Sequence, residues 1–176
     1  MRIYVARHGQ TQWNAENRIC GRTDLPLTEV GISQAEALAE KAAPLGIDLI
    51  ISSPMIRAHH MAQMVAERCG AEVMVDDRLK EQHYGIYEGR DRGDPDFLAN
   101  KRQFAVRYPD GESMLDMAGR IYPLLREIRE KYPDKTVMLA CHGGVCRVIR
   151  SCFLPMTNEE FASYSPENCS LECYEL

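Results

Sequence analysis

Four short apolar runs, RIYVA, IDLIISS, EVMVD and TVMLA, punctuate the chain, and stretches of helical periodicity separate them. That alternation constrains the fold more than any other feature. Apolar runs of roughly 4–8 residues rich in Ile and Val suit strands covered on both faces. Strands that alternate with helices pair in parallel, so the expected class is α/β, layered on a largely parallel sheet. SLECYEL alternates with polar residues and reads as a strand at a sheet edge.

Between the strands, Thr28 is a natural N-cap for a helix with Ala35, Leu38, Ala39 and Ala42 on one face, ending before Pro44 and Gly46. A second helix is expected over about Met55 to Arg68, closed by Gly70. Leu115, Ala118, Ile121, Leu125 and Ile128 follow a helical period, and Pro123 inside it predicts a kink or a split. From Gly85 to Asp110 the chain is rich in Gly, Asp and Arg, with a helical patch around Phe97 to Val106. That polar segment, poor in core residues, is expected to form part of a lid. No repeat or linker interrupts the 176 residues, so one domain over 1–176 is expected, with the lid at about 85–110.

A net charge of −5 disfavours nucleic acid or an anionic membrane as partner, since both need a basic surface. Any anion bound here needs a local positive pocket in an acidic molecule. Met1 to Ala6 is too short for a signal-peptide apolar region and no later run approaches a membrane span, so a cytoplasmic location is expected. Seven cysteines, an odd number without a CxxC pair, suit reduced thiols and match no zinc module. Neither metal nor cofactor is expected, and the oligomeric state is left open.

In such folds ligands bind beyond the carboxyl ends of the strands. The first strand ends on Arg7 and His8, the second leads to Arg57, the third to Glu81, and the fourth ends on His142 and Gly143. Taken singly, each has a plain explanation: a surface ion pair, a solvated carboxylate, a helix cap. Together they would meet at one sheet edge. Arg7 and Arg57 offer permanently charged forks for a phosphoryl group, and Gly143 and Gly144 open a helix whose N–H groups suit an anion. Among those cations His8 should stay neutral, with a ring nitrogen free as nucleophile. Glu81 can protonate the leaving oxygen and then take a proton from water. With arginines carrying the transition-state charge, the chemistry suggested is phosphoryl transfer through a phosphohistidine without a metal.

Nearly the whole chain resembles the histidine phosphatase superfamily, in its phosphoglycerate-mutase-like branch. RHGQTQWN is similar to the RHGxTxxN motif, which implies His8 as nucleophile and Asn14 as a phosphate contact. GRTDLPLTEVGISQA resembles the segment that follows, implying that Cys20 and Gly21 line the substrate site. SSPMIRAHHMA is similar to SSPLxRAxxTA and implies Arg57 in the phosphate pocket. LKEQHYGIYEG resembles LxExxxGxxEG, implying Glu81 as proton donor and Tyr84 at the substrate site, and ACHGGVCR resembles the second-histidine motif at His142. The resemblance implies a three-layer α/β/α sandwich and a small-molecule phosphate ester as substrate.

HGG at 142–144 matches the phosphatases rather than the HGN of cofactor-dependent mutases. The chain also lacks the long insertion and tail with which those mutases enclose their substrate. Hydrolysis, by an enzyme of the broad-specificity or α-ribazole phosphatase kind, is therefore expected over mutase activity. Two other readings stay open: a module that binds a phosphorylated ligand without turning it over, and a cysteine phosphatase. For the latter, Cys141 and Arg147 have the C-x5-R spacing, but Ala140 and Val148 depart from its usual flanks. Five basic residues of the polar segment, Arg90, Arg92, Lys101, Arg102 and Arg107, are candidates to contact a second anionic group on the substrate.

Overall fold

The computed structural model describes all 176 residues. Its strands are β1 (Arg2–Arg7), β2 (Leu49–Ser52), β3 (Glu72–Val75), β4 (Val137–Cys141) and β5 (Leu171–Glu175). They form one sheet in the order β3-β2-β4-β1-β5, parallel except for β5, which runs antiparallel to β1 at the edge. Helices α2 (Glu29–Ala42) and α3 (Ile56–Cys69) cover one face; α5 (Met114–Lys131) and α6 (Gly143–Phe153) cover the other. The result is the three-layer α/β/α sandwich. Tyr4, Ala6, Ile50, Met138 and Ala140 pack under α2 and α3, while Ile3, Val5, Leu49, Ile51, Val137 and Leu139 pack under α5 and α6. Burial on both faces explains why β1, β2 and β4 read as unbroken apolar runs. At the opposite edge from β5, Glu72, Met74 and Val75 of β3 stay exposed.

Caps and periodicity set the helices much as expected. Thr28 accepts the Gly31 N–H to start α2 (3.1 Å), and Gly70, at φ 71°, closes α3 in the left-handed conformation. Three details differ. Helix α5 is one unbroken helix: Pro123 and Gly119 both lie on its exposed side, where the Gly119 carbonyl that loses its donor is open to water. Leu115 is 60% exposed, because the buried seam runs through Met114, Met117, Ile121, Leu124, Leu125 and Ile128, about 100° around the helix. The helical patch of the polar segment is α4 (Pro95–Lys101), set two residues early by the Asp94 cap and Pro95 and finished by Lys101. Two helices of four and six residues, α1 (Gln12–Ala15) and α7 (Asn158–Ser163), rest on capping boxes rather than apolar periodicity.

The polar segment is also better packed than its composition suggests. Tyr87, Phe97 and Tyr108 are buried with Ile19 in a separate aromatic cluster, the rings of Phe97 and Tyr108 stacked at 5.6 Å. The site lies between β1 and β4. The chain leaves β1 toward the face of α2 and leaves β4 toward the face of α6, which opens a crevice at their carboxyl ends. Pairing of Arg7 with Cys141, and a bond from His8 N–H to the Cys141 carbonyl (3.0 Å), bring His8 level with His142.

Candidate active site

The RHG turn is held from several sides. A Cβ on Gly9 would fall 2.4 Å from the Gly31 carbonyl oxygen, so only glycine lets the turn rest on the start of α2. Asn168 donates to the His8 carbonyl (2.9 Å) and Cys169 N–H to that of Arg7 (3.0 Å). On the His8 ring, Nδ1 lies 2.7 Å from the Gly9 carbonyl. A carbonyl only accepts, so Nδ1 carries the proton and Nε2 keeps its lone pair. Burial, then Arg57 and Arg7, hold the His8 pKa well below the usual 6.5.

Arg57, fully buried, donates Nε–H to His8 Nε2 (3.2 Å). Its other nitrogens donate to the carbonyls of Thr23 (3.0 Å) and Gly21 (2.7 Å). The same loop turns its donors to Glu88, whose carboxylate accepts from Gly21 N–H (3.1 Å), Arg22 N–H (2.8 Å) and the Thr23 hydroxyl (3.1 Å).

Across the crevice Glu81 accepts from Gly144 N–H (2.9 Å) and from Gln82 N–H (2.7 Å). The Gly144 donor is therefore committed to Glu81, and Gly143 is the member of the pair nearer Arg7. His142 occupies the N-cap position of α6 but caps nothing with its side chain. Its Nε2 meets the Ser53 hydroxyl (2.8 Å), its buried Nδ1 has no partner, and its ring stands edge-on to His8 at 5.1 Å. Burial, then Arg57, hold its pKa well below the usual value. Arg7 leans on the Pro166 carbonyl through one terminal nitrogen, while its buried Nε has no partner.

The profile of the Histidine phosphatase superfamily (branch 1) matches residues 3–176. The chain belongs to that superfamily. A relative named as a probable phosphoglycerate mutase GpmB, from Cronobacter sakazakii, is 35% identical over 178 residues, covering 97% of this chain and 83% of the relative. Among solved structures, mycobacterial glucosyl-3-phosphoglycerate phosphatase in complex with VO3 superposes with a TM-score of 0.88 at 32% identity, covering 98% of this chain and 90% of that one. The same mycobacterial phosphatase with inorganic phosphate gives 0.84 at 32% identity, over 98% and 88%. This chain is thus a histidine-dependent phosphatase by family.

In this histidine phosphatase the pocket is lined by Arg7, His8, Asn14, Cys20, Glu81, Tyr84 and Gly143 of the expected residues. Arg57 and His142 are fully buried beside His8, and Gly21 contributes its carbonyl to Arg57 instead of lining the pocket. Of the five basic residues in the polar segment, Arg92 and Lys101 reach the pocket. The other three pair outside it: Arg90 with Asp94, Arg102 with Glu159 and Arg107 with Asp116. The pocket also takes Ser165 and Arg147, which the sequence offered only as the arginine of the C-x5-R alternative. Arg147 is buried and tethered to the Tyr164 carbonyl (2.9 and 3.1 Å). Arg7, Arg92, Lys101 and Arg147 face a single carboxylate, Glu81, so a chain of net charge −5 does hold a local positive pocket. Among these cations, burial first and Arg147 second push the Lys101 pKa down to about 8.

The cysteine alternative fails on geometry. Cys141 is fully buried under α5 and α6, its sulfur 3.6 Å from that of Cys146, and it does not line the pocket. Burial, then Cys146, raise its pKa well above the usual thiol value, opposite to what a thiolate nucleophile needs. Nothing in the C-x5-R spacing revealed that Arg147 serves the pocket while Cys141 serves the core.

Proposed function

We propose that this protein hydrolyses phosphomonoesters through a phosphohistidine at His8, without a metal. The observation that carries the reading is the His8 tautomer. The Gly9 carbonyl fixes the proton on Nδ1, which leaves Nε2 as an unprotonated nucleophile in a cationic pocket. An incoming phosphoryl group offers Arg57 a charged acceptor in place of Nε2, so binding itself frees the nucleophile. Nε2 then attacks phosphorus as the ester P–O bond breaks, and a proton from Glu81 goes to the leaving oxygen. In the second step water attacks the phosphohistidine, Glu81 takes its proton, the N–P bond breaks and phosphate departs. In this reading Arg7, Arg57, His142 and the Asn14 side-chain amide bind the phosphoryl oxygens.

Arg92, Lys101 and Arg147 set the substrate class in this reading: a small phosphate ester carrying a second anionic group, with segment 85–110 as a lid over it. Support for hydrolysis over a mutase comes from HGG at 142–144 and from the phosphatases among the solved structures, although the curated relatives carry the mutase name. The test is 3-phosphoglycerate turnover followed by ³¹P NMR in EDTA. Release of inorganic phosphate matching ester loss is expected, with an acid-labile, base-stable phosphoenzyme on quenching. Conversion to the 2-phosphate without phosphate release would favour the mutase, and no activity without added divalent ion would refute the metal-free mechanism.

A further inference from the structure

Arg57 is a fully buried cation without a carboxylate partner: its three acceptors are His8 Nε2 and the carbonyls of Gly21 and Thr23. Those two carbonyls belong to an irregular stretch, so no helix or strand ladder holds them at the guanidinium. The Arg22 side chain anchors the loop to the Glu81 carbonyl (2.7 Å) and to Glu112 (3.2 Å), and the loop's backbone is held by Glu88. Its Oε2 accepts from Gly21 N–H and the Thr23 hydroxyl, and its Oε1 accepts from Arg22 N–H (2.8 Å) and more weakly from Tyr84 N–H (3.4 Å). The loop is thus a two-sided strap, with donors toward Glu88 and acceptors toward Arg57. Gly21 makes the close approach possible, because a Cβ there would lie 2.2 Å from Glu88 Oε1 and 2.3 Å from the Gln82 carbonyl.

We propose that Glu88 is a positioning residue for the phosphoryl-transfer step, acting through the 21–23 loop and Arg57 on His8. It touches neither the pocket nor His8, and all four of its contacts are donors from the protein. The inference rests on the phosphohistidine reading of the site. A carboxylate is required, since an amide at this position has one accepting atom for two sets of donors and turns its own N–H₂ toward one of them. Freed from Glu88, the two carbonyls release the guanidinium from the line to His8. Displacement of a catalytic group by about 1 Å costs on the order of 10²-fold in rate.

The test is a double-mutant cycle on the whole chain with p-nitrophenyl phosphate. Glu88→Gln should lower kcat by roughly 10–100-fold, yet by less than about twofold in the Arg57→Ala background, because the second change has already removed what the first one aims. In ¹H–¹⁵N spectra the Arg57 Nε–H, buried and bonded to His8, should exchange with solvent at least about tenfold faster in Glu88→Gln. If Glu88→Gln does not fold, Thr23→Val removes one of the four bonds and should show a smaller loss with the same dependence on Arg57. Losses that multiply in the double mutant, with Arg57 Nε–H still protected, overturn the inference and leave the mechanism standing. An active His8→Ala overturns the mechanism and the inference with it.

Discussion

The floor of the pocket and its rim are built by different physics. The floor carries His8, Arg57, His142 and Arg7, each held by directional bonds: the β1–β4 ladder, two loop carbonyls on Arg57, Ser53 on His142, Pro166 on Arg7. The rim carries Arg92, Lys101 and Arg147, brought up by α4, the loop before it and α6. Part of that rim stands on a four-residue aromatic cluster separate from both main cores. Directional bonds on a sheet hold a ring nitrogen in place. A small apolar patch allows the residues above it to vary, which suits recognition more than chemistry.

If that contrast is right, changes at the floor stop turnover and changes at the rim alter only which ester is preferred. The largest effect belongs to His8→Ala, which should abolish phosphate release, while Cys141→Ser, buried away from the pocket, keeps most of it. A dead, folded Cys141→Ser beside an active His8→Ala would break the comparison outright. Next, Glu81→Gln should lower turnover of alkyl phosphates by about 10²–10⁴-fold. The loss should shrink with p-nitrophenyl phosphate, whose leaving group needs less protonation; equal losses on both would remove Glu81 as the acid.

Rim effects should be smaller and selective. Lys101→Met should reduce kcat/KM for 3-phosphoglycerate by about 10–100-fold, the range for losing one charge-assisted bond, and reduce that for glycerol phosphate less. Arg102→Met, paired outside with Glu159, should change neither by more than about twofold. Identical behaviour of the two variants would erase the distinction between pocket-facing and outward cations.

The smallest effect concerns stability, and it also sits at the floor. His8 and His142 are held neutral, their pKa values well below 6.5 through burial and then Arg57. The unfolded chain takes up these protons below about pH 6.5 and the folded chain does not, so the stability they contribute is complete above that pH and is lost as pH falls. Each histidine should steepen the decline by up to about 1.4 kcal/mol per pH unit. Urea unfolding between pH 7.5 and 5.5 measures this, and His142→Asn should reduce the slope; an unchanged slope would mean that His142 is not held neutral.

Much of the floor was legible in the linear chain because strand ends in a parallel sheet converge, and each of its groups follows a recognisable run or motif. Helical periodicity alone does not tell which side of α5 faces the sheet, so it puts Leu115 in the core and allows at Pro123 a kink or a split, of which the split does not occur. Arg147 enters the sequence reading only through the C-x5-R alternative, and it gains its place at the pocket through a carbonyl seventeen residues later. Of five similar basic residues in one segment, Arg92 and Lys101 reach the pocket, and Asp94, Glu159 and Asp116 hold the others outside it.

By itself, then, the sequence determined the strands, the main helix caps, the layered class and most of the groups that meet at the crevice. All of these depend on local pattern or on glycines and caps with short-range reasons. Only the tertiary structure decided the proton on His8, the loop that carries Arg57, and which cations point inward. The His8 proton depends on the shape of the RHG turn, which sets the Gly9 carbonyl against Nδ1, and the other two depend on carbonyls and carboxylates from outside their own motif. Hydrogen bonds and ion pairs act over a few ångströms in space, and sequence distance carries no information about that separation.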